Sequence, residues 1–268
     1  MSVFTRRRSV FAAGAAVTVV GAEAFILEPR RLTVTRHRIG TGQRPLRVVH
    51  LTDLHLRGIH SFESGVAAMT TQLEPDVIVF TGDSIDRRDG IGVLDDFLGL
   101  LVPDTPKYAV LGNWDYWSGA SVAEIRQVYE RHRCRLLINE TIVHDADGRQ
   151  LRLTGADDLV AGRPDVATAS VTGDGVPHIL LAHCPAYREH AERAAGGRFD
   201  CMLSGHTHGG QIRLFGFAPV LPRGSGGYVS GWYREAGRLP LYVARGVGTT
   251  MIRARFGSPP ELSLFEIG

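Results

Sequence analysis

Cysteine is scarce in this chain. Cys134, Cys184 and Cys201 are the only three, and they are scattered. An odd, unspaced set excludes a disulfide framework and a cysteine-based metal site, so these residues read as small core side chains. Linkers, low-complexity tracts and internal repeats are also lacking. Nor is there a broad excess of positive charge. Of the formal net charge of +2, residues 1–38 carry +5 (seven Arg against Glu23 and Glu28), which leaves −3 for the rest. No nucleic-acid-binding surface is therefore expected on the body. With 268 residues, 44% hydrophobic and 22% charged, the chain is not of disordered type and suits one large α/β domain.

The one basic cluster has a different meaning. Arg6-Arg7-Arg8 precedes an apolar run from Val10 to about Ala22, and Ala22-Glu23-Ala24 has the small-x-small form of a cleavage site. The arrangement resembles a twin-arginine export signal. An uncleaved membrane anchor is the alternative, since Ser9 to Leu27 is just long enough to span a bilayer. The expectation is a leader over 1–27 and a single domain over 28–268. The protein would be handed to an export machinery, and be exported or anchored on the extracytoplasmic face, with possible membrane association. It is expected to act as a monomer.

The body alternates strands and helices. Leu32–Ile39 reads as an edge strand. Leu46–Leu51, Val77–Phe80 and Lys107–Leu111 read as strands, the second apolar throughout as burial on both faces requires. Helices are expected over Phe62–Leu73, over Ile91–Leu101, and after Ser121-Val122-Ala123-Glu124, a capping box. Asp147-Gly148 between two apolar runs signals a hairpin, and short strands follow at Ile179–Leu181, Met202-Leu203, Leu241–Ala244 and Leu262–Phe265. The fold class is α/β, on two sheets.

Polar residues follow the buried strands immediately. Asp53 and His55 follow Leu51, Asp83 follows Phe80, and Asn113 follows Leu111. His183 follows Leu181, and His206 and His208 follow Leu203. Ligand sites in open α/β sheets lie beyond the carboxyl ends of the strands. Residues two apart on an extended chain point the same way, which would pair Asp53 with His55 and His206 with His208. Seven oxygen and nitrogen donors exceed what one tetrahedral zinc takes, and suit two ions that share a carboxylate. His37, His50, His60, His132, His144, His178 and His190 lack this context and read as surface or packing residues.

Taken in order, Asp53-x-His55, Gly82-Asp83-x-x-Asp86, Gly112-Asn113-x-Asp115, His183 and Gly205-His206-x-His208 resemble the calcineurin-like metallophosphoesterase superfamily, in particular a bacterial branch of exported or membrane-anchored phosphodiesterases. The resemblance implies a two-sheet β-sandwich flanked by helices and a dinuclear centre of two divalent ions (Mn, Zn, Fe or Co). Asp53, His55 and His208 would hold one ion, and Asn113, His183 and His206 the other. Asp83 would bridge them, while Asp86 and Asp115 would support the ligands. A bridging hydroxide would attack phosphorus, with Asp83, Asn113 and His206 central to catalysis.

In many members of that family a His that assists the leaving oxygen follows the Asn; here the position is Trp114. Indole does not titrate, and general-acid help is worth roughly 10²–10⁴-fold. A preference for phosphodiesters or pyrophosphates over monoesters follows, with an envelope substrate. Trp114, Tyr116 and Trp117 are candidate substrate contacts, and Arg57, Arg188 and Arg255 could steer phosphate. A UDP-acylated-sugar pyrophosphatase is an alternative, disfavoured by export. A non-catalytic binding module is another, disfavoured by the complete ligand set.

Overall fold

The structure, a computed structural model, describes residues 18–167, 174–195 and 199–268. Among them are strands β1 Thr33–Ile39, β2 Leu46–Leu51, β3 Val77–Thr81, β4 Lys107–Val110, β5 Cys134–Leu136, β6 Glu140–Ala146, β7 Arg149–Gly155, β8 His178–Leu181, β9 Cys201–Ser204, β10 Gly231–Tyr233, β11 Leu241–Val243 and β12 Glu261–Ile267. They form two six-stranded sheets, in the orders β1-β12-β2-β3-β4-β5 and β10-β11-β9-β8-β7-β6. Strands β2 to β5 run parallel, as do β7, β8, β9 and β11.

Successive strand residues point to opposite faces, and the apolar strands use both. Val49, Leu51, Ile78 and Phe80 pack under helices α1 (Ser61–Gln72), α2 (Gly90–Gly99) and α4 (Val122–Arg131), against Val66, Phe97 and Val128. Their neighbours Leu46, Val48, Val77 and Val79 pack instead on Leu153, Ile179, Leu181 and Leu203 of the second sheet. On the far side of that sheet, Leu180 and Met202 meet Tyr187 and Ala191, the latter from α5 (Arg188–Ala195). The result is the expected sandwich of two sheets with helices outside, and an apolar cluster fills its middle layer.

Local signals behave as the chemistry requires. Ser121 Oγ accepts the Glu124 N–H, and the Glu124 carboxylate accepts the Ser121 N–H at 2.8 Å. Asp147 (φ 55°) and Gly148 (φ 76°) both take the left-handed backbone of a tight hairpin turn between β6 and β7. Strands β5 and β10 and helix α5 have no counterpart in the sequence reading; the two strands are three residues each, too short to show a period. Asn113–Trp117, which carries no helical period in the sequence, is a further addition. It is a turn of helix, α3. The Asp115 carboxylate accepts the Gly112 N–H at 2.9 Å and so caps the turn from within.

The expected leader falls mostly on residues 1–17, outside those described. Residues 18–30 are helical and tied to the body. Ala24 O accepts the Arg255 N–H at 2.9 Å, and the Glu28 carboxylate accepts the Gly257 and Ser258 N–H groups. Among the described residues no helix is long and apolar enough to cross a membrane. All three cysteines are free and buried, and burial pushes each thiol up, away from the reactive thiolate.

Candidate metal centre

Strands β2, β3 and β4 of one sheet and β8 and β9 of the other end at a common edge, and the seven candidate ligands are all buried there. They sort into two groups whose donor atoms lie close enough to share an ion: Asp53 with His55 and His208, and Asp83 with His183 and His206. Asp83 Oδ2 lies between the groups, 3.2 Å from His183 Nε2 and 3.7 Å from His55 Nε2.

Outer partners set which nitrogen of each ring faces inward. The Thr81 carbonyl accepts the His183 Nδ1–H at 2.7 Å, which turns Nε2 towards the centre. The Arg223 carbonyl takes the His206 Nε2 proton at 2.6 Å, which leaves Nδ1. Those two inward nitrogens face each other at 3.0 Å. Asp86 takes the His55 Nδ1 proton, and the His55 Nε2 lone pair lies 3.0 Å from His208 Nε2. Ring nitrogens packed this closely beside carboxylates need positive charge among them, a proton such as the one His183 holds or a cation in its place. Asn113 adds an independent sign. Its Oδ1 is buried without a hydrogen-bond partner, and the residue borders the same cleft as Asp83 and His206. A buried amide oxygen without a donor costs about 1–3 kcal/mol, so a ligand role accounts for it. The residues present therefore fit two hard or borderline divalent cations.

The titration behaviour has the same origin. Burial raises Asp83, but His183 and then His55 overcome it and hold Asp83 at about 2. Burial lowers His183, yet Asp83 holds it up at about 10. His206 is pushed down to about 4 by burial and by His183. His208 is held well below its ordinary value by burial and by His55. Asp83 and His183 thus form an ion pair, and a cation binding between them has to displace a proton.

Asp115 supports the ligands from beneath. Its carboxylate accepts the N–H groups of Asp83, Ser84, Ile85 and Gly112, which pins the β3 turn to the β4 turn. Burial, then Asp83, push its pKa up to about 7 against two of those N–H groups. Four converging donors demand the ionised, acceptor-only form. Asp86 joins His55 to Arg57, whose guanidinium donates to Asp86 Oδ2 through Nε at 2.9 Å.

One expectation is overturned. Asp53 and His55 do not sit on extended chain. Their φ values are 53° and 45°; Asp83 has 54°, His206 73° and His208 52°. Five of the seven candidate ligands occupy left-handed backbone, which β-strand alternation cannot describe. Each such residue costs on the order of 1–3 kcal/mol and persists only where its surroundings enforce it. Gly205 and Gly112 show the enforcement. A Cβ on Gly205 would run into Asp53 Oδ2, and one on Gly112 into Asp83 Oδ1.

The groups open into a cleft of about 510 Å³ bordered by Asp83, Asn113, His206 and His208. Trp114 and Trp117 line it, packed edge to face with ring centroids 5.6 Å apart. The Trp114 ring also stands edge-on to His55 at 6.3 Å, and the Trp114 backbone N–H donates to Asp83 Oδ1. Tyr116 goes elsewhere. Its hydroxyl donates to Asp157 Oδ1 at 2.6 Å and its ring packs on the helix-side core, as alternate sides of one helical turn dictate. The three arginines are engaged too. Arg57 holds Asp86. Arg188 is buried, on Leu239 O, Tyr228 and Glu235. Arg255 is buried on the Arg245, Gly246 and Ser258 carbonyls, 3.4 Å from His208 Nδ1. Sequence reasoning missed the cleft's apolar wall (Val160, Ile212, Val220, Met251, Ile252), because irregular segments carry no periodicity. It also missed the two carbonyls that orient His183 and His206, which no side-chain pattern encodes.

Comparison with known proteins agrees with this geometry. The family model "Calcineurin-like phosphoesterase" matches residues 46–210. The chain is 31% identical over 270 residues to metallophosphoesterase YkuE of Bacillus subtilis (strain 168), covering 95% of this chain and 93% of that protein. It is 30% identical over 279 residues to phosphodiesterase YaeI of Escherichia coli (strain K12), covering 99% and 100%. It is also 28% identical over 232 residues to metallophosphoesterase YkoQ of Bacillus subtilis (strain 168), covering 84% of each. One family description thus takes in more than half of the chain and every candidate ligand, and the chain belongs to the calcineurin-like phosphoesterases, hydrolases of phosphoric esters that use two divalent metal ions.

Proposed function

We propose that this chain is a phosphodiesterase working through a dinuclear centre on an extracytoplasmic phosphodiester or pyrophosphate. The observation that carries the reading is the position of Asp83, whose Oδ2 lies within 4 Å of an imidazole from each ligand group. In this assignment Asp53, His55 and His208 hold one cation, Asn113, His183 and His206 the other, and Asp83 both. Bound there, the cations supply Lewis-acid charge for the phosphoryl oxygens and bring the pKa of water towards ~7.

The residues themselves supply position and restraint. Carbonyl-locked His183 and His206 keep one ring nitrogen each turned inward without rearrangement. Asp115 keeps Asp83 and Asn113 in register, and Asp86 sets the His55 ring. Trp114 and Trp117 wall the cleft and offer no titrating proton. Among the described residues bordering it, the Asp and His side chains are Asp83, His206 and His208, and all three are assigned to metal. Leaving groups that need protonation are disfavoured, which selects diesters and anhydrides over simple monoesters. The location rests on the arginine triplet ahead of the apolar run in residues 6–22.

Metal analysis with paired substrates tests the assignment. Purified protein should hold close to two ions and hydrolyse a diester faster than a monoester of matched leaving group. The opposite ranking would refute the argument from Trp114, and Trp114→His should then leave monoester turnover unchanged instead of raising it about tenfold or more. Replacing Arg6-Arg7 by Lys-Lys should retain the protein in the cytoplasm on cell fractionation; unchanged export would remove the twin-arginine reading.

A further inference from the structure

Away from the ligands the cleft is apolar, with Val160, Ile212, Val220, Met251 and Ile252 beside the two tryptophans. Its volume of about 510 Å³ exceeds what a phosphate needs and matches a site for a larger, partly apolar molecule. The apolar character continues past the mouth. Phe215 and Phe217 are fully and 70% exposed, and Val220 and Met251 are 77% and 86% exposed.

These side chains stand on braced segments. Gln211 Nε2 donates to the Thr250 and Ile252 carbonyls, and Gln211 Oε1 accepts the Thr250 N–H. Backbone bonds between Arg213, Gln211 and Phe256 lock the two loops together. The helical segment before Glu28 joins them through Ala24 and Arg255, and it too leaves Val19, Val20, Phe25, Ile26 and Leu27 exposed. A surface of this kind on a folded chain marks a place that is covered in use.

Charge decides what covers it. Residues 209–234 and 245–260 contain six arginines and no Asp or Glu; Arg255 is buried and Arg245 pairs with Glu261, which leaves Arg213, Arg223, Arg234 and Arg253. Arg223 and Arg253 are exposed next to the apolar side chains, and neither makes an ion pair among the described residues. In a symmetric contact between two copies the same patch would meet itself, arginine against arginine. Anionic lipid satisfies both features: apolar side chains enter the acyl boundary while arginines meet the headgroups.

We infer that this rim docks on an anionic lipid surface, and that the phosphate ester drawn to the metal groups belongs to a lipid whose acyl portion lies along the Val160–Ile252 wall. The inference rests on the hydrolase reading above. It gives the tryptophans and the missing proton donor one setting, a bilayer-borne diester.

Full-length, metal-loaded protein should float with phosphatidylcholine vesicles that contain phosphatidylglycerol, far more than with phosphatidylcholine alone. The double variant Phe215→Ser/Phe217→Ser touches neither ligands nor cleft wall. It should bind vesicles at least about tenfold more weakly and lose turnover of vesicle phosphatidylglycerol, with turnover of a water-soluble aryl diester unchanged. Equal flotation of variant and wild type would overturn the inference, since the leader would then be the anchor. A wild-type dimer that the double variant splits, with no flotation, would also overturn it in favour of a second copy. Flotation without turnover of either diester would remove the hydrolase reading and leave the docking surface standing.

Discussion

The two ligand groups use the same residue types but are held in different ways. In the group of Asp83, His183 and His206, both rings are fixed by main-chain carbonyls, Thr81 O and Arg223 O. In the group of Asp53, His55 and His208, the His55 ring is fixed by a side chain, Asp86, which depends in turn on the partly exposed Arg57. Backbone cannot be substituted away, whereas a carboxylate can. The first group is therefore the rigid half of the centre and the second the tunable half. Asp83 Oδ2 lies within 4 Å of an imidazole of each, and Asp115 underlies it.

The largest effect should come from breaking what the halves share. Asp83→Asn is expected to lower diester turnover by at least about 10³-fold and to reduce bound metal towards one ion, by metal analysis beside an activated-diester assay. Retained turnover would remove Asp83 from the centre. Next is Asp115→Ala, which strands four buried N–H groups. It should cost about 3 kcal/mol, read as a lowered thermal midpoint, and weaken the rigid half because Asp83 and Asn113 lose their common support. Asp86→Ala should separate the halves. Metal titration is expected to show one affinity lowered about 10–100-fold and the other unchanged; equal weakening of both would break the comparison.

The smallest effect is a pH dependence. His183 has its pKa raised to about 10 beside Asp83, so metal-free protein carries a proton there at neutral pH that a cation must displace. His206, lowered to about 4, carries none. Affinity at the rigid half should rise with pH, by up to about tenfold per unit, and level off only at about 10, where His183 loses its proton unaided. Calorimetry in buffers of different ionisation enthalpy should count one proton released from His183. Pairing through His183 has the opposite sign for folding of the metal-free chain: its stabilisation is full below about 6.5 and is lost as pH rises through about 10.

Much of this was legible in the sequence because it depends on short-range rules. Strand alternation put Leu46, Val48 and Val77 on one face and Val49, Leu51 and Ile78 on the other. The turn after each strand then delivered a donor to the common edge. What was hidden depends on backbone the pattern cannot show. The ligand pairs at 53/55 and 206/208 look like strand alternation but are left-handed turns. Asn113–Trp117 looks like a loop, yet Asp115 caps it into a helix, and that turn sends Tyr116 to Asp157 while Trp114 and Trp117 face the cleft. Arg188 and Arg255 look free to bind phosphate in a list of residues. Tertiary packing buries both on carbonyls instead.

The left-handed backbone at Asp53, His55, Asp83, His206 and His208 also says how such a protein would age. Each of those positions is one where glycine would sit without strain and where asparagine is tolerated better than most residues. Selection for a sturdier fold and selection for bound cations pull in opposite directions at the same five sites. In a lineage released from hydrolysis, drift there should run first towards glycine, which relieves the backbone strain. A related chain with glycine at any of them would then be one that has kept the architecture and given up the chemistry.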